Sequence, residues 1–199
     1  IGAQGRNVAG PNGGLEVWQR GAGGAASIAV AASTTAYTAD GWALKTNANQ
    51  ASVVDQIAGI ATGSRWAARV RRNSGQTGTG VMSFEMPLDT DEILFMQGQT
   101  VSLGLTLKAG ANWSPASGNL TVELRTGTGA SPAKRSAGAY TGDAAPVAAT
   151  IALTPGGAIA RFSPATNAGL AGAVGGTVTQ ASIYITWTPV GTAGANDWF

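Results

Sequence analysis

The run Thr100-Val101-Ser102-Leu103-Gly104-Leu105-Thr106-Leu107-Lys108 places four aliphatic side chains at every second position, with Thr, Ser, Gly and Lys between them. A strand segregates that pattern onto two faces and a helix cannot, so the run predicts a half-buried strand. The same period recurs over 120–125 and 183–188, where β-branched and aromatic residues add to the preference. Weaker runs at 15–20, 27–32, 41–46, 51–57, 65–71, 81–86, 147–153 and 158–162 are each bounded by Gly, Asn, Pro or Ser. About ten short strands with no convincing amphipathic helix between them predict an all-β, antiparallel β-sandwich or barrel, most commonly a jelly roll. A chain of 199 residues suits one such domain, expected over 15–199 behind an N-terminal arm at 1–14.

Thirty glycines and a charged fraction of only 11% leave stretches too poor in large apolar residues to build cores. The spans 127–149 and 163–176 are therefore expected as loops on the sandwich rim. One short helix is expected over 89–96, because its early carboxylates suit the positive end of a helix dipole. The net charge of +2 implies no nucleic-acid partner. Arg65, Arg69, Arg71 and Arg72 would be divided between two faces of a strand and read as a solvated strand end. No cysteine is present, so packing must stabilise the fold without disulfides. No stretch approaches the roughly twenty apolar residues of a spanning helix, and no basic-then-apolar leader pattern opens the chain. The start at Ile1 suggests a processed or partial polypeptide.

Zero histidines and zero cysteines remove the usual general base, thiol nucleophile and transition-metal ligands. A hydrolase would have to use carboxylates, either Asp89, Asp91 and Glu92 or a folded grouping of Asp40, Asp55, Asp143 and Asp197. Glycosidases need two such groups about 5 to 10 Å apart. Carboxylates at strand ends are ordinary surface residues, so the expectation is a protein without catalytic residues or cofactor. The Asp89-x-Asp91-Glu92 cluster could also offer oxygen ligands to calcium, but it lacks the glycine and distal glutamate of a calcium loop. Helix capping is the favoured role.

Of six tryptophans, Trp18, Trp42, Trp66, Trp187 and Trp198 lie in or beside expected strands and are assigned to the core. Trp113 sits in the turn sequence Asn112-Trp113-Ser114-Pro115 and Tyr140 in the loop Gly138-Ala139-Tyr140-Thr141-Gly142-Asp143. Turns normally expose their side chains. Asn112, Trp113, Tyr140 and Asp143 are thus the candidate sugar platform, with rings to stack and polar groups to accept hydroxyls. The competing reading is that both rings pin their loops to the sandwich or to a neighbouring subunit.

Three short motifs carry a family resemblance: Val17-Trp18-Gln19-Arg20-Gly21, then Tyr37-Thr38-Ala39-Asp40-Gly41-Trp42, and Asn196-Asp197-Trp198-Phe199 at the end of 189–199. With the strand 98–103 between them, the chain resembles tail-fibre, head-fibre and spike proteins of tailed phages that carry a jelly roll similar to carbohydrate-binding modules. Gly41 stands where that family commonly has an arginine, and relatives usually continue into a further strand beyond the position of Phe199. The resemblance implies a non-enzymatic virion protein that assembles with itself, usually as a trimer, and with other virion proteins. It also implies contact with host surface polysaccharide. A capsid-decorating or collar part that binds no glycan is the alternative, and a polysaccharide depolymerase the third reading.

Overall fold

A computed structural model describes Gly13, Leu15, Val17, Trp18 and residues 27–131 and 133–199. The expected arm at 1–14, Gly13 apart, and half of the expected strand at 15–20 lie outside the described residues, although Trp18 itself is buried and lies in no strand.

Among the described residues thirteen strands and one α-helix follow in chain order: β1 (Ser27–Val30), β2 (Thr35–Tyr37), β3 (Ala43–Lys45), β4 (Ser52–Ala58), β5 (Trp66–Arg72), β6 (Met82–Pro87), α1 (Thr90–Met96), β7 (Thr100–Ser102), β8 (Leu105–Leu107), β9 (Asn119–Gly127), β10 (Ala144–Ala152), β11 (Ala160–Phe162), β12 (Ala171–Ala173) and β13 (Gln180–Trp187). All pairings are antiparallel. One layer is a six-stranded sheet in the order β10-β9-β13-β6-β3-β2, and a three-stranded sheet β1-β4-β5 forms much of the other. The fold is an all-β antiparallel sandwich, as the alternation implies.

Alternation decides which side of the large sheet is dry. Ile183, Ile185 and Trp187 of β13 stand opposite Met86, Phe84 and Met82 of β6, and Leu120, Val122 and Leu124 of β9 continue the same face. Burying each such side chain contributes on the order of 1.5–3 kcal/mol. Val30, Val54 and Val70 bring the three-stranded sheet into the same cluster, and the Trp42 ring stacks on Phe84 with centroids 4.6 Å apart.

The run 100–108 is not one strand. β7 pairs with β12 and β8 with β11, and the change of partner falls at Leu103-Gly104. The four aliphatics still pack half-buried against the core, so the period reports burial correctly while saying nothing of continuity. Two spans expected as loops also contribute strands: β10 starts at Ala144, and β12 lies inside 163–176. Their alanines and glycines hide the pattern, but small residues permit close contact. At Gly172 a Cβ would stand 1.7 Å from the carbonyl oxygen of Pro146.

The chain end completes the smaller layer. Val70 and Phe199 exchange two backbone hydrogen bonds of 2.8 and 3.1 Å, and Arg72 N–H donates to Asp197 O. On its other side the same segment accepts from Gly110 N–H at Trp198 O and from Asn112 N–H at Asn196 O. Residues 196–199 therefore lie between the edge of β5 and the segment that follows β8.

Candidate functional site

The turn 110–118 does not present Trp113 to solvent. Its ring is 5% exposed and meets Phe199 edge-on at 5.4 Å and Trp187 at 6.3 Å. Its indole N–H donates to Gly118 O over 2.8 Å. Gly118 makes this bond available by adopting φ +67, a left-handed conformation that costs glycine little. Asn112 is exposed, but its Oδ1 accepts from the backbone N–H of Asn196. The turn is thus folded back and clipped to the chain end, and the expected exposure of Trp113 is corrected to burial.

Beneath this turn lies a buried ion pair. Arg72 Nη1 and Asp197 Oδ2 are 2.9 Å apart with both side chains 1% exposed. Asp197 also accepts from Ser114 N–H and Oγ, while Arg72 Nη2 donates to the carbonyls of Gln76, Gly78 and Gly191. Of the four arginines assigned to a solvated strand end, Arg72 is therefore in the interior. Alternation leaves Arg69 and Arg71 on the outer face, where both bind Asp55.

Tyr140 is likewise buried, at 7% exposure. Its hydroxyl donates to Ala133 O over 2.7 Å and shares a short hydrogen bond with Ser182 Oγ. Burial pushes that phenol up to about 12. Ser182 and Trp187 stand at opposite ends of β13, and five residues of strand span about 17 Å, so Trp113 and Tyr140 do not form one platform. Asp143 is bound by Arg125 and Arg135. Partial burial opposes its ionised form, but hydrogen bonds from both guanidiniums outweigh this and hold the carboxyl below the usual aspartate value.

The loop carrying Tyr140 and Asp143 covers part of the large sheet's outer face. Burial raises the Glu85 carboxyl above its usual range, against the lowering effect of hydrogen bonds from Ser136 N–H and Oγ. Lys45 Nζ donates to Ser136 O over 2.6 Å. Lys134 lies 4.4 Å above the Tyr37 ring, and the Arg135 guanidinium is 5.9 Å from that of Tyr184.

Strand register extends this face across all six strands. One row reads Thr35, Lys45, Ser83, Thr186, Thr121, Thr150, and the next reads Tyr37, Ala43, Glu85, Tyr184, Glu123, Ala148. Tyr37 is 40% exposed, Tyr184 is half-buried, and the threonines at both ends of the first row are exposed. Tyr37, Tyr184 and the outer threonines reach solvent, while Ala43, Ser83 and Glu85 in the middle of the rows are buried and Lys45 Nζ is bound to the covering loop at Ser136 O. The sequence signal for this face lies in the polar positions between the apolar ones of 120–125 and 183–188, residues that core-directed reading passes over.

The acidic cluster at 89–92 starts α1. Glu92 Oε2 accepts from the backbone N–H of Asp89 over 2.9 Å, a capping interaction that satisfies an otherwise unbonded donor of the first turn. No group of three or more metal-ligating side chains occurs among the described residues, so Asp89, Asp91 and Glu92 are read as a helix start. Asp55, Asp143 and Asp197, considered as catalytic partners, are bound to different arginines. Gly41 takes φ +81 in the turn between Thr38 and Trp42, whose backbones bond at 2.8 Å.

Comparison of the chain with protein-family models, with curated proteins and with solved structures gave no match.

Proposed function

We propose that this chain is a non-enzymatic structural component of a tailed-phage particle, a fibre or spike domain of jelly-roll type that contacts host surface polysaccharide through the outer face of its six-stranded sheet. The observation that carries the glycan contact is the pair of aligned rows on that face, with Tyr37 and Tyr184 beside Lys45 and the threonines. A pyranose offers an apolar face to an aromatic ring and hydroxyls to donors and acceptors, so such a surface matches it in both respects. Trp113, Asn112 and Tyr140 become supports rather than contacts, and Asp143 orients Arg135 at the edge of the face. The virion assignment itself rests on the resemblance of 17–21, 37–42 and 196–199 to phage appendage proteins.

Binding rather than turnover fits the carboxylates of this face. Glu85 and Glu123 flank Tyr184 in one row, on strands that stand two spacings, about 10 Å, apart. Both oxygens of Glu85 are engaged by Ser136 beneath the loop, which withholds a raised-pKa acid from any substrate. Assembly as a homo-oligomer, a trimer by the resemblance, would repeat the face around an axis and multiply weak affinity.

The test is titration with purified bacterial surface polysaccharides, following wild type, Tyr184→Ala and Tyr37→Ala. Loss of about ten-fold or more in affinity, roughly 1.4 kcal/mol, is expected in each variant. Binding that survives both substitutions unchanged rejects this face.

A second reading, a capsid-decorating or collar part that touches no sugar, is favoured by one observation. Leu94 and Phe95 on α1 are 56% and 51% exposed, an apolar pair suited to another virion protein. Electron microscopy of particles labelled on this chain separates a shell position from a distal tip.

A further inference from the structure

The outer face of the large sheet is not open along its whole length. In the row that runs Tyr37, Ala43, Glu85, Tyr184, a single helical turn at Arg135–Ala137 lies on the strands. Ser136, 5% exposed, engages the sheet through all three of its polar groups. Its N–H and Oγ donate to Glu85, and its carbonyl accepts from Lys45 Nζ. The two residues before it place Lys134 over the Tyr37 ring and Arg135 over that of Tyr184. One short segment thus stands over both rings and the carboxylate between them.

The way this segment is held determines how it can move. Residues 134–138 contain no aliphatic or aromatic side chain larger than alanine, and Ala137 and Gly138 are exposed. Lifting them uncovers little apolar surface, so polar contacts alone oppose it. The flanks are fixed separately. Tyr140 Oη donates to Ala133 O over 2.7 Å and its ring is buried, while Thr128 N–H donates to Thr141 O. The Ala133–Tyr140 bond closes a base from which 134–138 project, and Gly138, where a Cβ would meet nothing within 4 Å, has room to turn.

We propose that residues 134–138 form a self-blocking flap, which when closed covers the glycan-binding row and when lifted opens that row continuously from Tyr37 to Tyr184. The blocking rests on the polysaccharide reading of this face, whereas the lifting rests on the geometry of the loop. The switch is the proton on Glu85. Closed, this carboxyl is 1% exposed, and burial holds it above its usual range against the hydrogen bonds from Ser136. Lifted, it meets water, returns to its ordinary value near 4.5 and becomes an acceptor for sugar hydroxyls. The ionised form therefore favours lifting. Closure is complete in acid and weakens as pH rises from 4.5 through the raised value. The charged and titratable groups around Glu85 are Lys45 from β3, Tyr184 from β13, Glu123 with its partner Arg125 from β9, and Lys134, Arg135, Tyr140 and Asp143 from the loop. Asp143 is shifted down and both tyrosines are shifted up, away from that range.

Amide exchange at Ser136 in the intact chain tests the flap, because that N–H is itself the donor to Glu85. With intrinsic rates divided out, protection is expected to fall between about pH 5 and about pH 8, by about ten-fold for each unit by which burial raises the carboxyl. Glu85→Gln, which keeps the hydrogen bonds without the charge, should remove that pH dependence. Ser136→Ala, which loses the Oγ bond, should lower protection at position 136 throughout. Affinity for purified bacterial surface polysaccharides should change by the same factors, since only the lifted fraction binds. It should be weaker in Glu85→Gln at neutral pH and tighter in Ser136→Ala. Protection that ignores both pH and Glu85→Gln overturns the flap, whatever the sugar result. Exchange that responds while affinity stays level across the variants overturns the blocking role and spares the binding face. Binding of no polysaccharide by any variant sinks the glycan reading and the blocking role together, and the exchange then decides the lifting by itself.

Discussion

Two loops that the sequence presents alike are fixed by opposite means. The turn at 110–118 is held by aromatic rings and by an ion pair shut away from water. The loop at 133–143 is held by a tyrosine hydroxyl, a serine on a buried carboxylate and two arginines that are 17% and 23% exposed. They dock at opposite ends of β13. The first end is therefore expected to behave as core, and the second as a latch that yields locally. Exposure cannot be inferred from turn composition alone, because a rim loop with one large ring gains more by folding back than by displaying it.

The largest effect expected from breaking this contrast is at the dry end. Asp197→Ala strands the Arg72 guanidinium and releases Ser114, and should cost about 3–5 kcal/mol in denaturant unfolding. A cost under about 1 kcal/mol would place that pair in the class of surface ion pairs and erase the distinction. Tyr140→Phe tests the other end. Losing its bonds to Ala133 and Ser182 should cost about 1 kcal/mol, with faster amide exchange confined to 133–143. Exchange that rises across β9 and β13 as well would show the latch to be part of the core.

Acid titration gives the smallest and most selective signal. The folded-state pKa of Glu85 is raised, so the folded chain takes up a proton before the unfolded chain does. Stability should rise as pH falls from neutrality toward the usual glutamate value of 4.5. Asp143 and Asp55 are lowered, so their contributions are intact above 3.8 and are lost as pH falls below it. Glu85→Gln should flatten the first limb and leave the second. A wild-type curve that only declines on acidification contradicts the burial assigned to Glu85.

Much of the fold was legible wherever large side chains alternate. The expected strands at 51–57, 65–71, 81–86 and 120–125 fall within a residue or two of β4, β5, β6 and β9, and that at 183–188 overlaps β13, which begins three residues earlier. Strands made of small residues were not legible, since Ala171-Gly172-Ala173 buries too little to imprint a period. Arg72 was unreadable for another reason: its partner lies 125 residues away, and only the tertiary fold brings the acid to it. The polar sheet face was written in the sequence as the other half of each alternation, but its assembly into rows depends on register between distant strands.

That 125-residue span has a kinetic consequence. The interior closes only after segments this far apart in the chain have met, and β13 must insert between β9 and β6, both far upstream. High contact order of this kind places folding in the millisecond-to-second range and leaves strand edges exposed while the search proceeds. Assistance during synthesis would therefore shorten the time for which those edges stay exposed.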